Sequence, residues 1–508
     1  MADLAPESSD QKGLEMAAPR DQGSVAQANL TKEQPMQISH TDVLAAIPEF
    51  NELVTVIQRH FSLSPEEAVT RQATFERELR EHTLRLERGV HARDFERMDV
   101  DVQGIVVDGA RYARRSGKTT GHYMTLAGKI EVPRSTYRRR GGHGGETVAA
   151  LDLRLGLLEG HWTPTAAEVA TTFMASCPSA EAASLLKTAG TMSPSSSHLD
   201  RVTKLVGDRW EARRVEFEAE VRAAESLDLP SPSQVSHLVL SLDGIMVPMK
   251  DAPRTPGQGK KDQGPKGHKE AACGTVTLQG AKGERLRTIR FGRMPESHKR
   301  VLHQQLADEL RVLVARYPNA AVVAVADGAH ENWRIIEAIS EELGCQITQR
   351  LDYFHAAQHV VEGLRAADAG DEAIDAWCSR LKGEAGVIEP LISELGFLSM
   401  ETGRRAVEQS LNYFLNNAHR VDYAEAAQLK QPIGSGVQEA ACKTLVAQRM
   451  KRSGMSWRNR GGQAVLTLRG LAQSDRLGHA WDALRPTLPT HFQVDTERKR
   501  KRPARAAS

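Results

Sequence analysis

The chain has 508 residues, 40% of them hydrophobic and 26% charged, with a formal net charge of +2 at pH 7. That length allows two or three domains with a substantial core, and the composition is that of a soluble globular protein. No apolar run approaches the ~20 residues of a membrane span, and the opening MADLAPESSDQKGLEMAAPRDQGSVAQ carries no apolar signal segment. Cys177, Cys273, Cys345, Cys378 and Cys442 stand without CxxC or CxH spacing. A membrane protein, a secreted disulfide framework and a zinc site are therefore not expected, and a reducing cytoplasm is the expected compartment.

Residues 1–40 are rich in Gln, Ser, Ala and charge and read as disordered. Residues 41–89 have a helical pattern, with Ser64-Pro65-Glu66-Glu67 as a helix start. QGIVVDG and the strand-like pair HYMTLAGKIEVPRSTYRR follow as a small β element, which assigns Asp108-Gly109 to it and not to a catalytic sheet. After LDLRLGLLEG the chain is helical again. Thr163-Pro164 opens one helix, residues 179–188 form a second, AGTM turns, and Ser193-Pro194 starts a third whose first turn carries Ser195, Ser196, Ser197 and His198. This order matches a helix-turn-helix, with ordinary helix packing as the alternative. Residues 41–232 are thus expected to bind DNA, with the helix-turn-helix candidate at 163–207 and Ser195, Ser196 and His198 as its contacts.

In SHLVLSLDGIMVPMK an apolar strand runs through Asp243-Gly244 to Met249. EAACGTVTL and RLRTIRFGRM are further strands, HKRVLHQQLADELRVLVARY is a helix, and AAVVAVADGAHENW is a short valine-rich run that ends on Asp327-Gly328. A run without a helical stripe reads as a strand covered on both faces, and Asp-Gly at its end reads either as turn chemistry or as an acid facing a ligand. ENWRIIEAISEELG is a helix, and CQITQRLDYFHAAQHV is a strand entering a helix. The order strand, strand, strand, helix, strand, helix, strand predicts an α/β, ribonuclease H-like domain with its first and fourth strands adjacent. Asp243 and Asp327 would then be neighbours. Two such carboxylates with a third can hold two divalent metals ~4 Å apart at a phosphodiester. Mg²⁺ suits these hard oxygens, and Mn²⁺ is possible.

The third acid is expected to be Glu439 in QPIGSGVQEAACKTLVAQRM. Ser435 is placed to cap a helix that buries Val437, Ala441, Thr444, Leu445 and Gln448, with Glu439 and Lys443 one turn apart on another side. The alternative for these two is an exposed i,i+4 ion pair. Basic residues gather in RSTYRRRGG, KKDQGPKGHKE, RMKRSGMSWRNR and the tail RKRKRPAR. A phosphate backbone or water would suit them, and Lys443, Arg449, Lys451, Arg452 and Arg458 are candidate DNA contacts.

The set SLDGIMVPMK, VADGAHENW, LDYFH and GSGVQEAACKTLVAQRMKRSGMSWRNRGGQAVLTLRG resembles bacterial insertion-sequence transposases of the ISKra4 type, relatives of the Mutator-like group, over roughly residues 126–481. The resemblance implies a ribonuclease H-like domain that cuts and joins DNA with an Asp-Asp-Glu triad. Asp243 and Asp327 match the two aspartates and Glu439 the glutamate, all three as metal ligands. Asp352 and His355 match a D-x-x-H signature of accessory residues. A helical insertion before the glutamate helix is implied and fits the pattern of residues 366–430. YRRRGGHGGETVAALD lacks the cysteine pair that relatives often carry, which puts a zinc knuckle there in doubt.

The expected organisation is a disordered N-terminus at 1–40, a DNA-binding region at 41–232 and the first part of the catalytic domain at 233–365. A helical insertion at 366–430, the Glu439 helix with C-terminal helices at 431–488, and a basic disordered tail at 489–508 complete it. The expected function is metal-dependent cleavage and strand transfer at the ends of an insertion sequence. The expected partners are terminal-repeat and target DNA, with a homo-oligomer assembled on DNA, in the cytoplasm at the nucleoid. The rivals are a DNA-binding regulator without catalysis and a nuclease that cuts but does not join.

Overall fold

The computed structural model describes residues 47–141, 145–251 and 267–496. The described residues from Glu49 onward form one compact unit. The expected disordered N-terminus lies outside the described residues, as does most of the expected tail, and the architecture below is that of this unit.

Two helices, Pro48–Phe61 and Pro65–Met98, come first. Ser64 caps the second reciprocally: its hydroxyl accepts from Glu67 N (3.3 Å) and its own N–H donates to Glu67 Oε2 (3.0 Å). This helix runs past Gly89, where the sequence pattern was expected to end. A Cβ there would collide with the Glu49 side chain, so this glycine serves close packing between helices and not termination.

Strands β1 (Gly104–Val107), β2 (Ala110–Arg114), β3 (Thr119–Thr125), β4 (Gly128–Arg134), β5 (Thr136–Arg139) and β6 (Thr147–Ala149) form the small β element. β1 and β2 are a hairpin whose turn is Asp108 (φ 47°) and Gly109 (φ 75°). Both central residues have positive φ, as a two-residue hairpin turn of this hand requires, and that accounts for Asp-Gly here. Phe492–Val494 adds an antiparallel strand to β1. Ordered chain therefore extends beyond Leu488, the expected limit, because this edge pairs the backbone and half-buries Phe492 and Val494.

β3 and β4 pair as a two-stranded sheet, and a separate five-stranded sheet contains β7 (His237–Pro248), β8 (His268–Gln279), β9 (Arg285–Arg293), β10 (Ala321–Ala326) and β11 (Ile347–Leu351) in the order β11-β10-β7-β8-β9. The first three strands are antiparallel, and β7, β10 and β11 run parallel. Helices Arg300–Arg316 and His330–Leu343 make the crossovers around β10. One face of β7 and β10 packs Leu238, Leu240, Leu242, Val322 and Ala324 against Leu302, Leu306 and Leu310, while Val239, Val323 and Val325 are buried on the other. Burial on both faces is why β10 shows no alternation in sequence.

Beyond β11 lie Tyr353–Ala366 and four further helices, Asp371–Gly383, Ile388–Thr402, Arg405–Asn417 and Tyr423–Gln428. The helix Ser196–Ala212 buries Leu199, Val202, Val206 and Trp210, and the C-terminal helix Asn459–Gln473 crosses it so closely that a Cβ on Gly207 would collide with Ala464. No helix among the described residues is long and apolar enough to cross a membrane.

Candidate active site

β7 and β10 are parallel with Leu240 opposite Ala324. Carried three residues forward, that register sets Asp243, midway along β7 and just past its last residue paired with β10, opposite Asp327, which directly follows β10. Neither Asp-Gly is a positive-φ turn. Gly244 lies within β7, where a Cβ would collide with the Glu270 carboxylate, and Gly328 is where the Tyr413 ring presses on the chain. Both glycines admit a neighbour beside an acid, which the turn reading of this dipeptide did not anticipate.

Asp327 has one oxygen engaged, whereas both Asp243 oxygens have partners. Asp243 Oδ1 accepts from Gly244 N (2.6 Å), and its Oδ2 lies 3.6 Å from Cys442 Sγ. Burial pushes the Asp243 carboxyl up against the opposing Gly244 hydrogen bond, and the Asp327 charge adds to the rise. Asp327 Oδ1 accepts from Asn332 Nδ2 (3.0 Å) and Ala329 N (3.2 Å).

Asp352 ends β11 and is fully buried. It caps the helix Tyr353–Ala366 by accepting from Phe354 N (2.7 Å). Its Oδ2 accepts from Ser435 N (2.9 Å) and from the Ser435 hydroxyl. Burial raises this carboxyl, but the His355 and Ser435 partners outweigh it and hold the group at about 2. His355 Nδ1 is 3.6 Å from Asp352 Oδ2, and that carboxylate, opposed by burial and aided by Asp327 and Asp243, raises the imidazole pKa.

Glu439 is exposed on the helix Gly436–Ala441. Its neighbour Gln438 is buried and clamps that helix to β8, donating to Cys273 O (2.8 Å) and accepting from Thr275 Oγ1 (2.9 Å). Cys273 is the residue paired with Asp243 across β7 and β8, so the clamp ties Glu439 to the Asp243 strand. Asp352, His355 and Glu439 each offer a ligand atom within 4.8 Å of the others. Among the described residues this set gathers that tightly, whereas Asp243, Asp327 and Glu439 together do not. The charges of Asp243 and Asp327 both act on His355.

Several expectations about the glutamate helix are corrected. Ser435 does not cap it with its side chain, because that hydroxyl is committed to Asp352. Cys442–Ala447 is a π-helical segment, and the wider turn rotates the buried face. Gln438, Ala441, Cys442, Leu445, Val446, Arg449 and Met450 are buried, Val437 and Thr444 are half-buried, and Gln448 is exposed. Arg449 is consequently not a surface DNA contact: it is 3% exposed, donates to Met174 O (3.4 Å) and lies 5.1 Å from the Trp457 ring centroid. Lys443, Lys451, Arg452 and Arg458 are exposed, with Arg452 paired to Glu181 at 2.7 Å.

Ser195 is the N-cap before the helix Ser196–Ala212 and not part of its first turn, and its hydroxyl accepts from His198 N (3.3 Å). Ser196 and His198 are half-buried, and the His198 ring lies 5.3 Å from that of His161. Asn332, Gln438 and Ser435 were not expected at the site. The available signal was a polar residue on an otherwise apolar helix face, which both Asn332 and Gln438 show.

No family model and no curated protein matches the chain. Three chains among solved structures match. One of them, from a Drosophila P element transposase strand transfer complex, is 12% identical, covers 65% of this chain and 82% of its own, and has a TM-score of 0.22.

Proposed function

We propose that the chain is a transposase of the Asp-Asp-Glu type, built on a ribonuclease H-like domain, that cleaves DNA at the ends of an insertion sequence and joins them to a target. The observation that carries this reading is the approach of Asp243 within β7, Asp327 directly after β10, Asp352 and His355 directly after β11, and Glu439 on the helix Gly436–Ala441, four stretches of chain in all. The strand order, with its antiparallel first half and parallel second half, supports the domain assignment.

The donor set fits a divalent ion: four carboxylates and one imidazole, with Asp327 and Asp243 each keeping an oxygen out of its own backbone contact. Asp243, Asp327 and Glu439, with Asp352 and His355, would hold Mg²⁺ or Mn²⁺. When bound, such ions neutralise charge developing on a phosphodiester and make water or a 3′-hydroxyl a better nucleophile. The chain itself supplies position. The Gln438 clamp and the Asp352–Ser435 hydrogen bonds fix the glutamate helix against the strand ends, so little reorganisation is left for the reaction. Exposed Lys443, Lys451, Arg452 and Arg458 flank that helix and suit a phosphate backbone.

In the reaction sequence, water attacks the phosphodiester at the element's end and releases a 3′-hydroxyl. That hydroxyl then attacks a target phosphodiester, displacing the target's own 3′-oxygen. The test is an assay of the purified chain with linear DNA carrying its flanking ends, in Mg²⁺ or in EDTA. Joined products in Mg²⁺ alone are expected. Cleavage without joining would make it a nuclease, and binding without cleavage a regulator.

A further inference from the structure

Behind the acid pair lies a lysine in an unusual backbone setting. His298 (φ 53°, ψ 27°) and Lys299 (φ 48°, ψ 33°) are consecutive, neither is glycine, and both are left-handed, immediately before the helix Arg300–Arg316. Such a pair persists only where surrounding contacts over-determine it, and side chains held this way cluster at functional sites. Here the conformation drives the Lys299 side chain into the protein, where the residue is 8% exposed. Its ammonium donates to Asn332 Oδ1 (2.9 Å) and pairs with Glu270 (2.8 Å) and Glu331 (3.6 Å).

Lys299 determines what Asn332 can do. An ammonium can only donate, so it accepts only the amide oxygen as its neighbour, and the Asn332 NH₂ must point the other way. That NH₂ donates to Asp327 Oδ1 (3.0 Å) and reaches Leu242 O at 3.5 Å, one residue before Asp243. Ala329 N takes the same Asp327 oxygen, which leaves Oδ2 outside these contacts. On its other side Lys299 holds the Glu270 carboxylate, the group that fills the space above Gly244. One buried cation is thus connected, through Asn332 and Glu270, to the side chain of Asp327 and to the residues on either side of Asp243.

We propose that Lys299 is a positioning residue for the acid pair: it orients the Asn332 amide so that one Asp327 oxygen is occupied and the other presented, and it ties the Asp243 strand to the same point. The proposal rests on reading Asp243 and Asp327 as metal ligands. Groups of this kind, one step away from a ligand, typically change metal affinity by about 10–100-fold when they are deleted.

The experiment titrates Mn²⁺ into the purified full-length chain, followed by calorimetry, for wild type, Lys299→Met, Lys299→Arg and Asn332→Leu, with urea unfolding of each. Lys299→Met is expected to weaken Mn²⁺ binding about 10-fold or more. In DNA cleavage it should raise the Mn²⁺ concentration for half-maximal rate while leaving the rate at saturating Mn²⁺ near wild type, with partial recovery in Lys299→Arg. A merely structural lysine would lower the unfolding midpoint and leave metal affinity unchanged in the folded fraction. That outcome, with wild type binding Mn²⁺, overturns the proposal alone. A wild-type chain that binds no Mn²⁺ overturns the site reading and the proposal with it. Where Lys299→Met does not fold, Asn332→Leu removes the link to Asp327, keeps the ion pairs of the lysine and carries the same expectation.

Discussion

At the residue scale the candidate site separates the groups proposed to ligate from the groups that hold them. Asp243→Asn, Asp327→Asn or Glu439→Gln removes a charged oxygen and leaves the basic surfaces in place, so each is expected to abolish cleavage with DNA affinity nearly unchanged, read by gel assays of product and binding. Asp108→Asn is expected to keep activity, since Asp108 turns a hairpin. Asp352 has a signature of its own. Its carboxyl is held at about 2, below the ordinary 3.8, by hydrogen bonds that exist only in the folded chain. A depressed folded pKa contributes stability that is present above the unfolded value and lost as pH falls through the folded one. The contribution is about 2 kcal/mol at neutral pH. Asp352→Asn should therefore lower the urea stability by about that amount at pH 6 and by much less near pH 2. An equal loss at both pH values would mean that the cap, and not the charge, carries the effect.

At the element scale, strands were legible where helix faces were not. An apolar run through Asp243-Gly244 marked β7, one ending on Asp327-Gly328 marked β10, and the crossover order brought them side by side. The glutamate helix misled because a 3.6-residue period was carried through a π-helical segment. Leu445 stays buried as expected, but beyond it the assignments slip around the helix, so Gln448 emerges on the surface and Arg449 turns inward to Trp457. The links among Asn332, Lys299 and Glu270 were illegible for another reason: left-handed backbone at two non-glycine residues has no local sequence signal. The helix Ser196–Ala212 is an intermediate case. Its hydroxyl-rich start was visible, but its burial against Asn459–Gln473 depends on residues more than two hundred positions away. If that start reads base edges, replacing Ser195, Ser196 and His198 by alanine will reduce discrimination between terminal and random DNA more than overall affinity, measured by competition binding. Equal losses on both DNAs would assign the segment to packing or backbone contact.

At the scale of the whole molecule, a net charge of +2 conceals how unevenly charge is distributed. Acidic and basic residues interleave along Pro65–Met98, whereas RKRKRPAR at 498–505 carries six basic residues and no acidic one. Ordered chain reaches Phe492–Val494, paired with β1, and Asp495 N still donates to Gly104 O (2.9 Å). The basic run therefore begins only a few residues from a fixed point on the small β element. With no large apolar side chain to bury, the run can act on DNA only through charge. Every phosphate that a basic side chain ceases to neutralise flattens the plot of log affinity against log salt by roughly 0.9, so six basic residues bound the effect at about 5. Removing 498–508 should weaken binding to terminal and random DNA alike, flatten that slope by a few units, and leave the cleavage position unchanged, since Asp243, Asp327 and Glu439 are untouched. Affinities at several salt concentrations, with and without these residues, decide the matter. An unchanged slope would remove the tail from the DNA interface, and a shifted cleavage position would show that it helps to set the register of the ends.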